Sequence, residues 1–281
     1  MSPQSIPIQF RDGATNQLTH FAAEDSQGLI CCFPALGVRA SYYRPLAEYL
    51  ALLGWDVITV DWRGHGHSSV RPSRTVDFGY ETLVQDMKEV FDKIDSQFPN
   101  QKPFLLGHSL GGQIGSLYAS QHPDSIEGVM LVASCMVYHT GWEGNGEWKV
   151  HLSTRLFPFL SKIVGHFPGK TVGFGGKEAR TTMIDWGNNG RTGMYQLVDS
   201  QTDYDVDLKK LVLPVIAVSL EGDGFAPQKA VRNLTGKYSP EAPITHRHLL
   251  QSETSGKLGH FGWVKQANSV GNTLDKWMRS L

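Results

Sequence analysis

The chain has 281 residues, 26 Lys plus Arg against 27 Asp plus Glu, with 40% hydrophobic and 19% charged residues. A formal net charge of −1 leaves no basic footprint for nucleic acid or for a polybasic membrane tether, and the apolar content excludes a disordered chain. Three cysteines, Cys31, Cys32 and Cys135, form neither a disulfide framework nor a CxxC metal pattern. Their apolar surroundings suit small core residues in a reducing compartment.

Residues 1–10 have no basic start and no apolar run, so no signal peptide is expected. Strands are expected at 6–10 and 18–22, after a turn at Asp12-Gly13, and at 28–33, a short apolar run suited to a strand buried on both faces. Residues 40–53 carry Tyr43, Leu46, Ala47 and Leu50 at helical spacing, with Pro45 near the start and Gly54 at the end. A strand at 56–60 precedes an amphipathic helix at 80–98, with Leu83, Met87, Val90, Phe91 and Ile94 on one face. A strand at 104–106, a helix at 113–121 and a strand at 128–133 follow. Late strands are expected at 211–219 and 245–250, with a helix at 227–234 between them and a closing helix at 261–281. The apolar run 211–220 is too short to span a bilayer and contains Pro214, so the chain is expected to be soluble and cytoplasmic.

Alternating strands and helices predict an α/β fold with a mostly parallel sheet and helices on both faces. The stretch 136–205 breaks the rhythm and is rich in Gly, Trp, Phe and Asn. It reads as a partly helical lid inserted into a core formed by 1–135 and 206–281.

Phe104-Leu105-Leu106-Gly107-His108-Ser109-Leu110-Gly111-Gly112 has the form strand, G-x-S-x-G, helix. A bare G-x-S-x-G also fits a plain glycine-rich turn; the flanking strand and helix select a nucleophile elbow. In such an elbow Ser109 projects from a strained turn, and the Leu110 N–H is one oxyanion donor. His108 is expected to pack or hydrogen-bond near the serine rather than act as the base.

The elbow predicts an acid and then a histidine further along the chain. Glu221-Gly222-Asp223-Gly224-Phe225-Ala226-Pro227 follows one late strand, and Gly256-Lys257-Leu258-Gly259-His260-Phe261-Gly262-Trp263 follows the last. The catalytic residues are thus expected to be Ser109, Asp223 and His260. Asp223 is preferred to Glu221 because it lies deeper in its loop. The second oxyanion donor is expected, by position, to be the Leu36 N–H in Phe33-Pro34-Ala35-Leu36-Gly37-Val38.

Other clusters read as structural. Asp61 and Arg63, in Asp61-Trp62-Arg63-Gly64-His65-Gly66-His67-Ser68-Ser69, suit polar anchors. The pairs His65/His67 and His246/His248 lack a third ligand at metal spacing. Gly173-Phe174-Gly175-Gly176 has neither dinucleotide nor P-loop spacing. No metal and no cofactor are expected.

Together these segments resemble the α/β-hydrolase superfamily over nearly the whole chain. More narrowly, they resemble a poorly characterised serine hydrolase group with the oxyanion loop Pro34-Ala35-Leu36-Gly37-Val38. Many relatives carry His-Gly where this chain has Pro34-Ala35. The resemblance implies hydrolysis of a carboxylic ester or related acyl compound through an acyl-Ser109 intermediate. An acyltransferase with the same triad, or a binding protein on the same scaffold, remains open. Trp142, Trp148, Trp186, Phe157, Phe159, Phe167 and Phe174 fall in the insertion, and most are expected to pack it onto the core. Trp142 and Trp263 are expected at the substrate, which is anticipated to be a small apolar or aromatic acyl compound.

Overall fold

The computed structural model describes residues 3–281. Met1 and Ser2, the first residues of the segment expected to lack a signal peptide, lie outside the described residues. The chain forms β1 (Gln4–Gln9), β2 (Thr15–Phe21), β3 (Leu29–Phe33), α1 (Arg44–Leu52), β4 (Asp56–Val60) and α2 (Tyr80–Gln97). It continues through β5 (Phe104–His108), α3 (Leu110–Gln121) and β6 (Gly128–Val132).

Between β6 and the next strand of the large sheet lie α4 (Asn145–Val164), β7 (His166–Pro168), α5 (Gly169–Val172), β8 (Lys177–Ala179), α6 (Arg180–Thr192) and α7 (Tyr204–Leu208). The chain closes with β9 (Val215–Leu220), α8 (Gln228–Thr235), β10 (Ile244–Leu249), α9 (Gly259–Gly262) and α10 (Asn268–Met278).

The large sheet has eight strands in the order β1-β2-β4-β3-β5-β6-β9-β10. β1 and β2 pair antiparallel, β2 joins β4 antiparallel, and the other pairs are parallel. Every residue of β3, β4, β5, β6 and β9 is buried, as expected for strands covered on both faces. Cys31 and Cys32 are free and buried in β3; burial holds the Cys32 thiol up to about 12 and the Cys31 thiol well above the ordinary thiol range. α2 packs on α3, and α1 on α10.

Several boundaries differ from expectation by a few residues, three of them for a clear physical reason. The helix after β5 starts at Leu110 rather than at 113, because Ser109 turns the chain in a single residue. The strand expected at 211–219 starts at Val215, since Pro214 has no N–H for a ladder. The closing helix is broken into α9, a 3-10 turn at Trp263–Gln266, and α10.

The segment between β6 and β9 is more regular than its composition suggested. α4 packs along α6, and α4 also meets the small β7-β8 hairpin. Among the described residues, no helix is long and apolar enough to cross a membrane.

Candidate active site

β5 delivers Ser109 at the C-terminal end of the parallel strands, beside β3 and β6. Ser109 has φ 53° and ψ −114°, a strained conformation for a residue other than glycine. The glycines two residues to either side have no room for a side chain. A Cβ at Gly107 would stand 2.3 Å from the Gly112 nitrogen, and one at Gly111 would stand 2.2 Å from the Phe33 carbonyl oxygen. The elbow glycines therefore bring the start of α3 directly against the end of β3.

The loop after β9 bends at Asp223, whose N–H donates to the Leu220 carbonyl at 3.2 Å. Asp223 Oδ1 accepts the Phe225 and Ala226 N–H groups at 2.8 and 3.0 Å. This leaves Oδ2 aimed at His260 Nδ1, 2.9 Å away. His260 Nε2 lies 3.0 Å from Ser109 Oγ. The Asp223 side chain is fully buried and that of His260 nearly so. Glu221, the alternative acid, is exposed and accepts the Gln251 N–H at 2.5 Å. Thus Ser109, His260 and Asp223 form one hydrogen-bonded chain, and Glu221 stands apart from it.

The loop after β3 is held from several sides. Trp62 Nε1 donates to the Pro34 carbonyl at 2.7 Å, and the Ala35 N–H donates to the Tyr43 hydroxyl at 2.9 Å. Leu36 lines the same cavity as Ser109 and His260. The Leu110 N–H opens α3 and so has no acceptor within its own helix. His65 Nε2 lies 2.9 Å from Glu178 Oε2, and Glu178 Oε1 accepts the Gly176 N–H at 2.6 Å. That pair ties the loop after β4 to the Gly173-Phe174-Gly175-Gly176 stretch, which abuts Gly37.

The cavity over Ser109 has a volume of about 450 Å³. Val137, Trp142, Phe157, Phe174 and Trp186 give it apolar walls. Trp142 is fixed by its Nε1, which donates to the Gly224 carbonyl at 2.8 Å. Trp263, expected at the substrate, sits elsewhere. It is 1% exposed, packs on Tyr43 and His108, and donates its Nε1 to the His260 carbonyl at 3.1 Å. The physical reason is the 3-10 turn after α9, which folds Trp263 beneath His260. Most of the aromatics of the insertion pack inward, as expected; Trp148 and Phe159 are the exceptions among the seven, 66% and 60% exposed on α4.

Tyr43 was not legible as a site residue. Its hydroxyl accepts from Ala35 and lies 2.6 Å from His108 Nδ1. The hydroxyl's own hydrogen is free to point to Nδ1, an arrangement that suits a neutral His108 with its proton on Nε2. Burial, with a smaller contribution from the neighbouring His260, holds the His108 imidazole well below the usual histidine range. Its ring lies 4.9 Å from that of His260.

The remaining clusters have structural partners. Arg63 donates to both carboxylate oxygens of Asp86 at 2.8 and 2.6 Å, and Asp61 accepts the Ala40 and His67 N–H groups. His246 pairs with the Thr235 hydroxyl and His248 with the Ser219 hydroxyl.

A strained serine at the tip of a parallel sheet, facing a histidine and a buried carboxylate beneath an apolar cavity, is set in the α/β-hydrolase fold. The chain belongs to the family described as serine aminopeptidase, S33, whose model matches residues 24–185. It is 30% identical to monoglyceride lipase of Mus musculus over 186 residues, covering 61% of this chain and 55% of that one. It is 31% identical to protein phosphatase methylesterase 1 of Candida albicans over 261 residues, covering 89% and 68% of the two chains. A solved structure of a soluble variant of Saccharomyces cerevisiae monoglyceride lipase, in complex with a substrate analog, shares the fold. The TM-score is 0.72 at 17% identity, over 99% of this chain and 95% of that one. The matches span about half the length of the first curated relatives, 55% and 45%.

Proposed function

We propose that the chain is an esterase that cleaves small carboxylic esters with an apolar acyl group through an acyl-Ser109 intermediate. The observation that carries this reading is the hydrogen-bonded chain from Ser109 through His260 to Asp223, opening on an apolar cavity of about 450 Å³. Relatives named as a lipase and a methylesterase support ester chemistry.

In this reading, Ser109 Oγ attacks the ester carbonyl while His260 Nε2 takes its proton. The tetrahedral oxyanion is held by the backbone N–H groups of Leu36 and Leu110. Its collapse breaks the bond to the alcohol, which leaves with the proton from His260. Water, deprotonated by His260, then attacks the acyl-Ser109 carbonyl, and Ser109 departs with its proton restored. Asp223 holds the Nδ1–H tautomer and stabilises the imidazolium. Residues 136–205 act as the lid that supplies Trp142, Phe157, Phe174 and Trp186 to the acyl site.

A fluorophosphonate probe and a series of 4-nitrophenyl esters of increasing chain length test the proposal. Stoichiometric labelling that disappears in Ser109→Ala is expected, with a preference for uncharged acyl chains over charged ones. Equal labelling of both proteins, or a preference for short charged esters, would overturn it. An added alcohol or thiol that captures the acyl group faster than water would redirect the reading to acyl transfer.

A further inference from the structure

Of the polar side chains that line the cavity beyond Ser109 and His260, Lys149 is exposed and the Ser153 hydroxyl donates to the Val150 carbonyl, while Gln113 is unexplained by the proposed chemistry. Gln113 lies on α3, whose sequence Leu110-Gly111-Gly112-Gln113-Ile114 is otherwise apolar at this end. Its N–H donates to the Ser109 carbonyl at 3.3 Å, which places it one helical turn beyond the nucleophile. Gln113 is 3% exposed and lines the cavity with Ser109 and Cys135. Its Oε1 is buried without a hydrogen-bond partner.

A carboxamide oxygen removed from water without a partner is costly, whereas leucine or methionine would fill the same space at no such cost. Two other polar groups of the same lining are engaged elsewhere. Cys135 Sγ faces the Phe225 carbonyl, and burial keeps its thiol protonated. Trp142 Nε1 is already committed to Gly224. The terminal torsion of glutamine is soft, so either the carbonyl or the amide end can turn toward a bound molecule.

We propose that Gln113 forms a polar subsite in the acyl cavity, taking a hydroxyl or carbonyl group carried on the substrate a few bonds from the scissile carbonyl. The substrate class becomes an ester of an oxygenated acyl chain, with the hydrocarbon part against Phe157, Phe174 and Trp186. This inference rests on the esterase reading of the same cavity and refines its substrate. The hydrogen bond to Gln113 forms only with the oxygenated chain, so it separates that chain from its plain counterpart.

The test compares 4-nitrophenyl butyrate with 4-nitrophenyl 3-hydroxybutyrate and 4-nitrophenyl acetoacetate. Wild type is expected to favour at least one oxygenated ester by about tenfold in kcat/KM, the scale of one additional hydrogen bond. Gln113→Leu and Gln113→Met are each expected to bring that ratio close to one. A wild-type ratio of one or below for both oxygenated esters, as a carboxamide satisfied by trapped water would give, overturns the subsite even if neither variant folds. A ratio unchanged in a folded variant also overturns it.

Binding of the corresponding methyl esters to Ser109→Ala, read by tryptophan fluorescence, separates this inference from the esterase reading. Tighter binding of the oxygenated ester without wild-type turnover keeps the subsite and removes the esterase. Turnover without discrimination in rate or binding does the reverse.

Discussion

The hydroxyl of Tyr43 lies 2.6 Å from Nδ1 of His108 while accepting the Ala35 N–H at 2.9 Å. One phenol thereby joins the loop that carries Leu36 to the residue that precedes Ser109. The Tyr43 hydroxyl thus sets the loop of one proposed oxyanion donor against the strand end that carries the proposed nucleophile.

Tyr43→Phe keeps the ring, which is 1% exposed, and removes only the bridge. Two buried groups lose their partner, so stability is expected to fall by about 2 kcal/mol. The kcat for 4-nitrophenyl butyrate should fall about tenfold with KM changed far less, because the oxyanion geometry matters more in the transition state than for the bound ester. A rise in KM at constant kcat would show that Tyr43 shapes substrate binding instead.

The acid is tested by paired substitutions. Asp223→Asn should lower kcat by about 10⁴-fold, because the amide no longer favours the required histidine tautomer. Glu221→Gln should stay within about threefold of wild type, since Glu221 is exposed and accepts only a backbone N–H among the described residues. Steady-state rates of the two purified variants decide between the carboxylates.

Gly37 and Gly13 make a controlled comparison in urea unfolding. Both have positive φ, +75° and +84°. A Cβ at Gly13 meets nothing within 4 Å, whereas one at Gly37 would stand 2.3 Å from the Gly176 nitrogen. Gly13→Ala should cost about 1 kcal/mol from conformation alone. Gly37→Ala should cost about 2–3 kcal/mol and reduce activity, because the loop bearing Leu36 and the Gly175-Gly176 segment must move apart. Equal losses would mean that their contact carries no constraint.

Asp185 makes a pH prediction. It is buried and accepts the Tyr80 and Val198 N–H groups at 2.9 Å each, and burial pushes its carboxyl up to about 6 despite those bonds. In the unfolded chain the group titrates near 3.8. Between those values the folded state binds the extra proton, so this group stabilises the fold as pH falls from about 7 to about 4. The stability of wild type minus that of Asp185→Asn should rise by about 2–3 kcal/mol over that window, read from urea midpoints. A flat difference would mean that Asp185 titrates normally.

Much of the site was legible because its grammar is local. Ser109 is marked by glycines whose Cβ atoms would collide with backbone, and such collisions restrict residue type within a few positions. Asp223 and His260 each follow a late strand, so chain order locates them. Gln113, Tyr43 and the His65–Glu178 pair carry no comparable mark. Gln113 reads as an ordinary helix residue until its burial is known, and Tyr43 reads as an apolar helix position. Glu178 meets His65 across 113 residues, and no short-range pattern encodes such a meeting. Trp263 was misread for the same reason: proximity to His260 in sequence did not say which side of the histidine it would occupy.

The near-neutral composition leaves no basic footprint for nucleic acid, and 10% of the residues are aromatic. Periodicity and glycine spacing likewise determined the α/β class and the elbow, because strand burial and close backbone approach act residue by residue. Tertiary structure decided where the aromatics went. Phe157, Phe174 and Trp186 gather over Ser109, Trp263 supports His260, and Trp148 and Phe159 face outward from α4. Which side of a helix is covered depends on elements distant in the chain, and that packing alone turned a count of rings into a cavity wall.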